Sequence, residues 1–306
     1  MAKVDDDTKA VLRDLSSIEP LTKGDPDIAV VRSAYDEVFA AWTAPAKKKT
    51  KEWWVSGCGL GSNREALVIE PASHEPIAGT LILIHGGGWS LGNALGYAPL
   101  GRWLCAETGM RVLVPDFPQA PEHPSPAAFD ALSEFLVWTA SAFGNALKLI
   151  GDSAGGNLAA VLSNHPPEGI AITAQVLLYP VIDLRPDAVY RSRKKYGAGR
   201  HFLTTDGIVG AAMQYCGDAQ NPSSPFLTPL LEEDFSRTPP TMIMVPQFDP
   251  LQDECNAYGT LLQENDIETH FVFAEATIHG CASFSGRIGS GRAALVKACG
   301  FLRSEI

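Results

Sequence analysis

No apolar stretch in this chain approaches the ~18 consecutive residues that a membrane-crossing helix needs, so no helical span is expected. Basic residues are in deficit: 24 Lys and Arg face 35 Asp and Glu, a formal net charge of −11. Nucleic acid and anionic bilayers both recruit clustered positive charge, so neither is an expected partner, and the excess negative charge serves solubility. Paired cysteine spacing is missing too. Cys58, Cys105, Cys216, Cys255, Cys281 and Cys299 are scattered without a C-x-x-C, which argues against a zinc site or a dithiol redox motif. Free thiols in a reducing compartment are the expectation. The start, Met1 to Asp7, is polar and acidic and offers no apolar core for a secretion signal. These absences together lead to a cytoplasmic protein that needs no metal and no other cofactor. Internal repeats and low-complexity tracts are also lacking.

What is present is enough to build an enzyme-sized core. The 306 residues are 45% hydrophobic and 19% charged, a composition ordinary for one large α/β domain or two small ones. Asp7 to Ile18 and Asp27 to Trp42 read as amphipathic helices with acidic starts. Lys47-Lys48-Lys49-Thr50-Lys51 follows as a solvated linker. Short strands are expected at Trp53 to Ser56 and Ala66 to Ile69, and a central strand at the fully apolar Thr80 to Ile84. Then come a helix at Tyr97 to Thr108, a strand at Arg111 to Val114, a helix opened by proline at Pro126 to Ser141, and strands at Leu147 to Ile150 and Ala174 to Tyr179. From Asp187 to about Pro229 the alternation lapses, apart from a short helix at Asp206 to Tyr215. It resumes with a strand at Thr241 to Val245, a helix at Asp253 to Glu264, a strand at Thr269 to Phe273 and a last helix ending at Arg303.

Alternating βαβ units imply a mostly parallel sheet with helices on both faces, and such sheets bind ligands at the carboxyl ends of their strands. The predicted organisation is a helical cap from residues 1–45, a core from 46–186, a cap insertion at 187–229 and the rest of the core at 230–306.

The most informative pattern is Gly151-Asp152-Ser153-Ala154-Gly155, directly after an apolar strand and before the apolar segment Asn157 to Leu162. Small residues on either side of a serine at a strand-to-helix junction permit a very tight turn, which lifts the hydroxyl above the sheet. Alone the motif is weak; its neighbours carry the case. Serine needs a base to take its proton, usually a histidine oriented by a carboxylate, in the chain order serine, acid, histidine. Of seven histidines, only His165, His201, His270 and His279 follow Ser153. His165 sits beyond the helix end and away from the catalytic edge, His201 in the insertion, and His270 inside a strand, whereas His279 occupies the loop after the last strand. For the acid, Asp249 follows the Thr241 strand and a short Pro246-Gln247-Phe248 loop. Asp253 reads as opening the next helix, where the dipole stabilises it, and Asp183 is a weaker third candidate.

An attacked carbonyl becomes an oxyanion that wants preorganised donors. The N–H of Ala154 is one; the loop His85-Gly86-Gly87-Gly88-Trp89 offers others, since glycines can turn their N–H groups toward a ligand. A phosphate-cradling loop is disfavoured, because the lysine and Ser/Thr of that motif are missing.

His85-Gly86-Gly87-Gly88-Trp89, Gly151-Asp152-Ser153-Ala154-Gly155-Gly156, Asp249-Pro250-Leu251-Gln252-Asp253, His279-Gly280 and Ala120-Pro121-Glu122-His123-Pro124 occur in this order. The set resembles the hormone-sensitive-lipase-like bacterial esterases of the α/β-hydrolase fold, over about Leu81 to Gly280. The resemblance implies Ser153 as nucleophile, Asp249 as acid, His279 as base and oxyanion donors at Gly87, Gly88 and Ala154, in a fold with a mostly parallel central sheet and a helical cap. It further implies hydrolysis of short- or medium-chain carboxylic esters, with an amidase, peptidase, acyltransferase or non-catalytic receptor as alternatives, and it leaves a homodimer open. Trp89, Phe202, Phe226 and Phe284 are expected as apolar lining, and Glu122 with His123 as a buried polar pair bracing the glycine loop. Phe117-Pro118-Gln119, Gln252 and Cys281 depart from the family's usual residues and put local support, not the reaction class, in question.

Overall fold

The computed structural model describes residues 3–22, 27–218 and 221–304. Met1, Ala2 and residues 23–26 and 219–220, which belong to the acidic start and the two expected cap segments, lie outside them. Aspartates open the first helices. Asp5 accepts from Thr8 N at 2.7 Å ahead of α1 (Asp6–Ser16), and Asp27 accepts from Ala29 N ahead of α3 (Ile28–Trp42), with the short α2 (Glu19–Thr22) between them. Each carboxylate satisfies an N–H that the helix itself cannot.

The strands are β1 (Thr50–Ser56), β2 (Glu65–Pro71), β3 (Thr80–Ile84), β4 (Arg111–Pro115), β5 (Ala146–Asp152), β6 (Ala171–Leu178), β7 (Thr241–Phe248) and β8 (Thr269–Ile278). The remaining helices are α4 (Ala94–Thr108), α5 (Ala127–Phe143), α6 (Ala154–Asn164), α7 (Arg191–Tyr196), α8 (Thr205–Cys216), α9 (Gln252–Glu264) and α10 (Gly289–Ser304). Among the described residues the strands form one sheet in the order β1-β2-β4-β3-β5-β6-β7-β8, antiparallel at β1-β2-β4 and parallel elsewhere. The protein therefore has the α/β-hydrolase architecture.

Successive side chains of a strand point to opposite faces, so one strand feeds two cores. Leu81 and Leu83 of β3 pack with α4 and α10, while Ile82 and Ile84 pack with α5, α6 and α9. Burial of each such side chain is worth roughly 1.5–3 kcal/mol. The lysine-rich stretch is only partly a linker, because Thr50 and Lys51 belong to β1 and Lys51 pairs with Glu70 at 3.0 Å across it. All six cysteines are buried free thiols. No helix among the described residues is long and apolar enough to cross a membrane.

The strands β7 and β8 run further than their sequences suggest. Pro246 breaks the apolar run and Ala276 adopts φ 57°, yet the ladder re-forms beyond this irregularity as Phe248 pairs with Ile278. The Gln247 side chain bridges the gap by accepting from Ala276 N at 2.8 Å.

The polar insertion is held to the core by a buried ion pair that the sequence did not announce. Arg193 of α7 donates to Glu254 Oε2 of α9 through Nε at 3.0 Å and Nη2 at 2.6 Å, with both side chains almost fully buried. Glu254 Oε1 accepts from Ile182 N at 2.9 Å. Burial pushes Glu254 up to about 7, against the downward pull of Arg193 and the Ile182 N–H. Removing one partner would strand a buried charge, so Arg193→Ala should lower unfolding free energy by about 3–5 kcal/mol in urea titrations. A change under about 1 kcal/mol would show that α7 is not anchored through this pair.

Candidate active site

The strand order reverses between β3 and β5, and that is where an open α/β sheet receives ligands. These two strands are direct neighbours, with Ile84 opposite Gly151. The glycine loop and the serine turn consequently leave the sheet side by side. Ser153 itself takes φ 54° and ψ −117°, a conformation unfavourable for a side chain and held by the packing around it. A Cβ on Gly151 would sit 2.2 Å from Gly155 O, and one on Gly155 would sit 2.1 Å from Ile84 O. Only glycine fits at either place. Ala154 opens α6, so its N–H belongs to the first turn, where no intrahelical acceptor exists.

The opposite half of the site comes from the paired ends of β7 and β8. Phe248 and Ile278 are partners, so the residues that follow them, Asp249 and His279, emerge together. His279 Nδ1 lies 2.8 Å from Asp249 Oδ2, and His279 Nε2 lies 3.0 Å from Ser153 Oγ. Asp249 Oδ1 accepts from Leu251 N at 2.9 Å, which fixes the carboxylate's rotation. The Tyr179 ring packs 4.7 Å from the imidazole. Asp249 is fully buried and His279 nearly so. The three side chains form one hydrogen-bonded series across 126 residues of sequence.

The glycine loop is braced from several sides. His85 stacks on Phe117 at 4.3 Å, and its Nδ1 lies 3.0 Å from Gly86 O. Gln119, a departure from the family pattern, donates to Leu91 O at 3.0 Å and Gly92 O at 2.8 Å. Gly87 and Gly88 take φ 104° and 60°, and no hydrogen bond among the described residues uses their N–H groups. Gly86 N donates to Asp152 Oδ1 at 2.7 Å. Burial pushes Asp152 up to about 6.

A cavity of about 490 Å³ opens onto Ser153, His279, Gly87 and Gly88. Its walls come from α3 (Val31, Tyr35, Phe39), from residues 202–204 and from α8 (Gly207, Ile208, Ala211), and they are mostly apolar. Trp89 and Phe202 line it, and Trp89 is fixed by stacking on Tyr215 at 4.7 Å. Phe226 and Phe284 do not line it. Phe226 is 49% exposed on the outer surface against His165, while Phe284 is fully buried beneath Phe39, Trp42 and Phe202.

Other sequence expectations resolve differently. Asp253 lies in the first turn of α9, but its carboxylate accepts from Ser192 N of α7 at 2.8 Å and so caps a different helix. Asp183 is taken up by Arg185 and Tyr190 at 2.7 Å each. Glu122 and His123 are exposed, not a buried pair. Glu122 instead grips both Nη atoms of Arg32 at 2.7 Å, and Arg32 Nε donates to Ser90 O at 2.8 Å beside the glycine loop. That guanidinium holds the Glu122 carboxyl down to about 2. The buried group that sequence reasoning passed over is Asp152. Its signal was an acidic residue at the carboxyl end of β5, a strand whose only other charged residue is Lys148.

A strained serine turn beside a glycine loop at the switch point of an eight-stranded sheet defines an α/β-hydrolase. The sequence pattern of a family described as alpha/beta hydrolase fold matches residues 81–283, and the chain belongs to that family, in its hormone-sensitive-lipase-like branch. It is 35% identical over 243 residues to the carboxylic ester hydrolase LipN of Mycobacterium tuberculosis, covering 73% of this chain and 64% of LipN's length. An arylesterase of Saccharolobus solfataricus is 29% identical over 209 residues, covering 66% of this chain and 67% of that protein. Among solved structures, a hyperthermophilic esterase from the archaeon Pyrobaculum calidifontis superposes with a TM-score of 0.86 at 26% identity, covering 99% of this chain and 98% of its own. An ester hydrolase from the metagenome of Lake Arreo, complexed with a bipyridine phosphonate derivative, gives the same score and identity, with 98% of each chain covered.

Proposed function

We propose that the protein is a serine carboxylesterase that hydrolyses short- to medium-chain carboxylic esters through an acyl-enzyme. The observation carrying this is the unbroken contact from Asp249 through His279 to the Ser153 hydroxyl at the floor of an apolar cavity. His279 Nε2 takes the seryl proton as Oγ attacks the ester carbonyl, and Asp249 holds the imidazole with Nδ1 protonated. The oxygen that gains charge is met by the N–H groups of Gly87, Gly88 and Ala154. The alcohol leaves with the proton from His279, and water, deprotonated by the same imidazole, releases the acid. The segments at 1–45 and 187–229 act as the cap, since α3 and α8 supply the cavity walls above the reacting atoms.

Hydrolysis of a p-nitrophenyl ester series tests the reading. Each added methylene contributes about 0.8 kcal/mol on burial, so kcat/KM should climb by up to about 4-fold per carbon until the cavity is full, then fall. A protein inert toward the whole series, or one faster on the matching anilides, would refute it.

Gly87→Ala probes the oxyanion loop. The added Cβ would sit 2.2 Å from Leu91 O at φ 104°, so the loop must move. The expected loss in kcat is about 10²–10³-fold, with KM changing far less. An equal loss confined to KM would place the loop in substrate binding instead.

A further inference from the structure

The hydrolytic steps above give no task to the buried carboxylate beside the nucleophile. Asp152 is 1% exposed and lies between Gly151 and the nucleophile in sequence. Its Oδ1 accepts from Gly86 N at 2.7 Å, and its Oδ2 accepts from Tyr97 OH at 3.0 Å. Tyr97 OH is in turn 3.0 Å from Tyr35 OH, and Tyr35 belongs to α3 and faces the substrate cavity. Gly86 directly precedes the two glycines whose N–H groups bond to no other group among the described residues. A run of three glycines has more backbone freedom than any other sequence, whereas an oxyanion donor works only within about 2.7–3.1 Å of the developing charge. Something must fix the loop relative to the serine. Gln119, His85 and Arg32 tie the loop to itself or to its surroundings, while Asp152 ties it to the nucleophile's own turn.

We propose that Asp152 is a positioning residue that holds the Gly87 and Gly88 donors in register with Ser153, and that Tyr97 and Tyr35 fix the rotation of its carboxylate. The inference rests on the esterase reading and adds a residue to it. The carboxylate neither reaches the Ser153 hydroxyl nor replaces Asp249. It acts through the geometry of Gly86. Because Tyr35 stands in the cavity wall, the same series of hydroxyls links α3 to the oxyanion loop.

The test compares Asp152→Asn and Asp152→Ala on p-nitrophenyl butyrate at pH 8, alongside inhibition by an alkyl trifluoromethyl ketone. That ketone adds the serine to give a tetrahedral oxyanion. Asparagine can still accept from Gly86 N through its oxygen and bond to Tyr97 through its amide, so it should keep at least about a tenth of wild-type kcat. Alanine leaves Gly86 N without its acceptor and cuts the link to Tyr97, so it should lose about 30–100-fold in kcat with KM within about 3-fold, and the ketone's Ki should rise by the factor that kcat/KM falls. If the alanine variant does not fold, Tyr97→Phe serves instead, with a loss of about 3–10-fold in kcat and the same parallel with Ki. The proposal is overturned if asparagine is as damaging as alanine, since charge and not bonding geometry would then matter. It is equally overturned if kcat is unchanged, or if kcat falls while Ki stays constant. A wild-type protein inert toward the butyrate fails the esterase reading and takes this one with it, a result distinct from any variant outcome.

Discussion

Replacing Ser153 by alanine is expected to lower kcat/KM on an aryl acetate or butyrate by about 10⁴–10⁶-fold, the scale on which loss of a nucleophile is felt in serine hydrolases. The fold should survive. Among the described residues the Ser153 hydroxyl bonds only to His279 Nε2, and the strained backbone at φ 54° is retained by alanine. Losing one such bond costs about 1 kcal/mol, within what a two-core domain tolerates. Unfolding midpoints and rates should be measured together, with a fluorophosphonate probe and mass spectrometry locating the adduct. A variant that keeps more than about 1% of wild-type rate, or an adduct on another residue, removes Ser153 from the role assigned to it.

The second large effect separates two aspartates four residues apart. Asp249→Asn should cost about 10⁴-fold in kcat, because an amide opposite Nδ1 favours the wrong imidazole tautomer and cannot stabilise the imidazolium. Asp253→Asn should change kcat by no more than a few-fold. Its carboxylate accepts from Ser192 N, and Asp253 N donates to Ser192 Oγ at 3.2 Å. Its loss should therefore appear as weaker anchoring of α7, read as a lower unfolding midpoint. The opposite ranking in kcat would transfer the acid role to Asp253.

Much of the candidate site was legible in the sequence because each of its parts ends a strand. Ser153 and the glycine loop follow largely apolar runs of strand length, and parallel neighbours must deliver their carboxyl ends to one edge. His279 and Asp249 were readable for the same reason, although both preceding strands run further than their apolar patterns indicate. Pro246 and the left-handed Ala276 interrupt the apolar pattern, and the cross-strand pairing of Phe248 with Ile278 that carries the ladder past them is a long-range fact. Phe226 and Phe284 show the reverse failure. An aromatic residue in sequence does not say whether it faces a cavity, the surface or the core. Glu122 likewise found its partner 90 residues away in Arg32.

The sequence by itself determined the parts of the candidate site and their order: a serine in a turn that only glycines permit, a glycine loop after a buried strand, then an aspartate and a histidine at later strand ends. Local sterics and chain order suffice for those. Tertiary structure alone decided which polar groups meet. Arg193 with Glu254, Asp253 with Ser192, and Asp152 with Gly86, Tyr97 and Tyr35 are contacts between distant segments, set by register and packing. A buried polar side chain must find a partner, and neither its composition nor its spacing names which one.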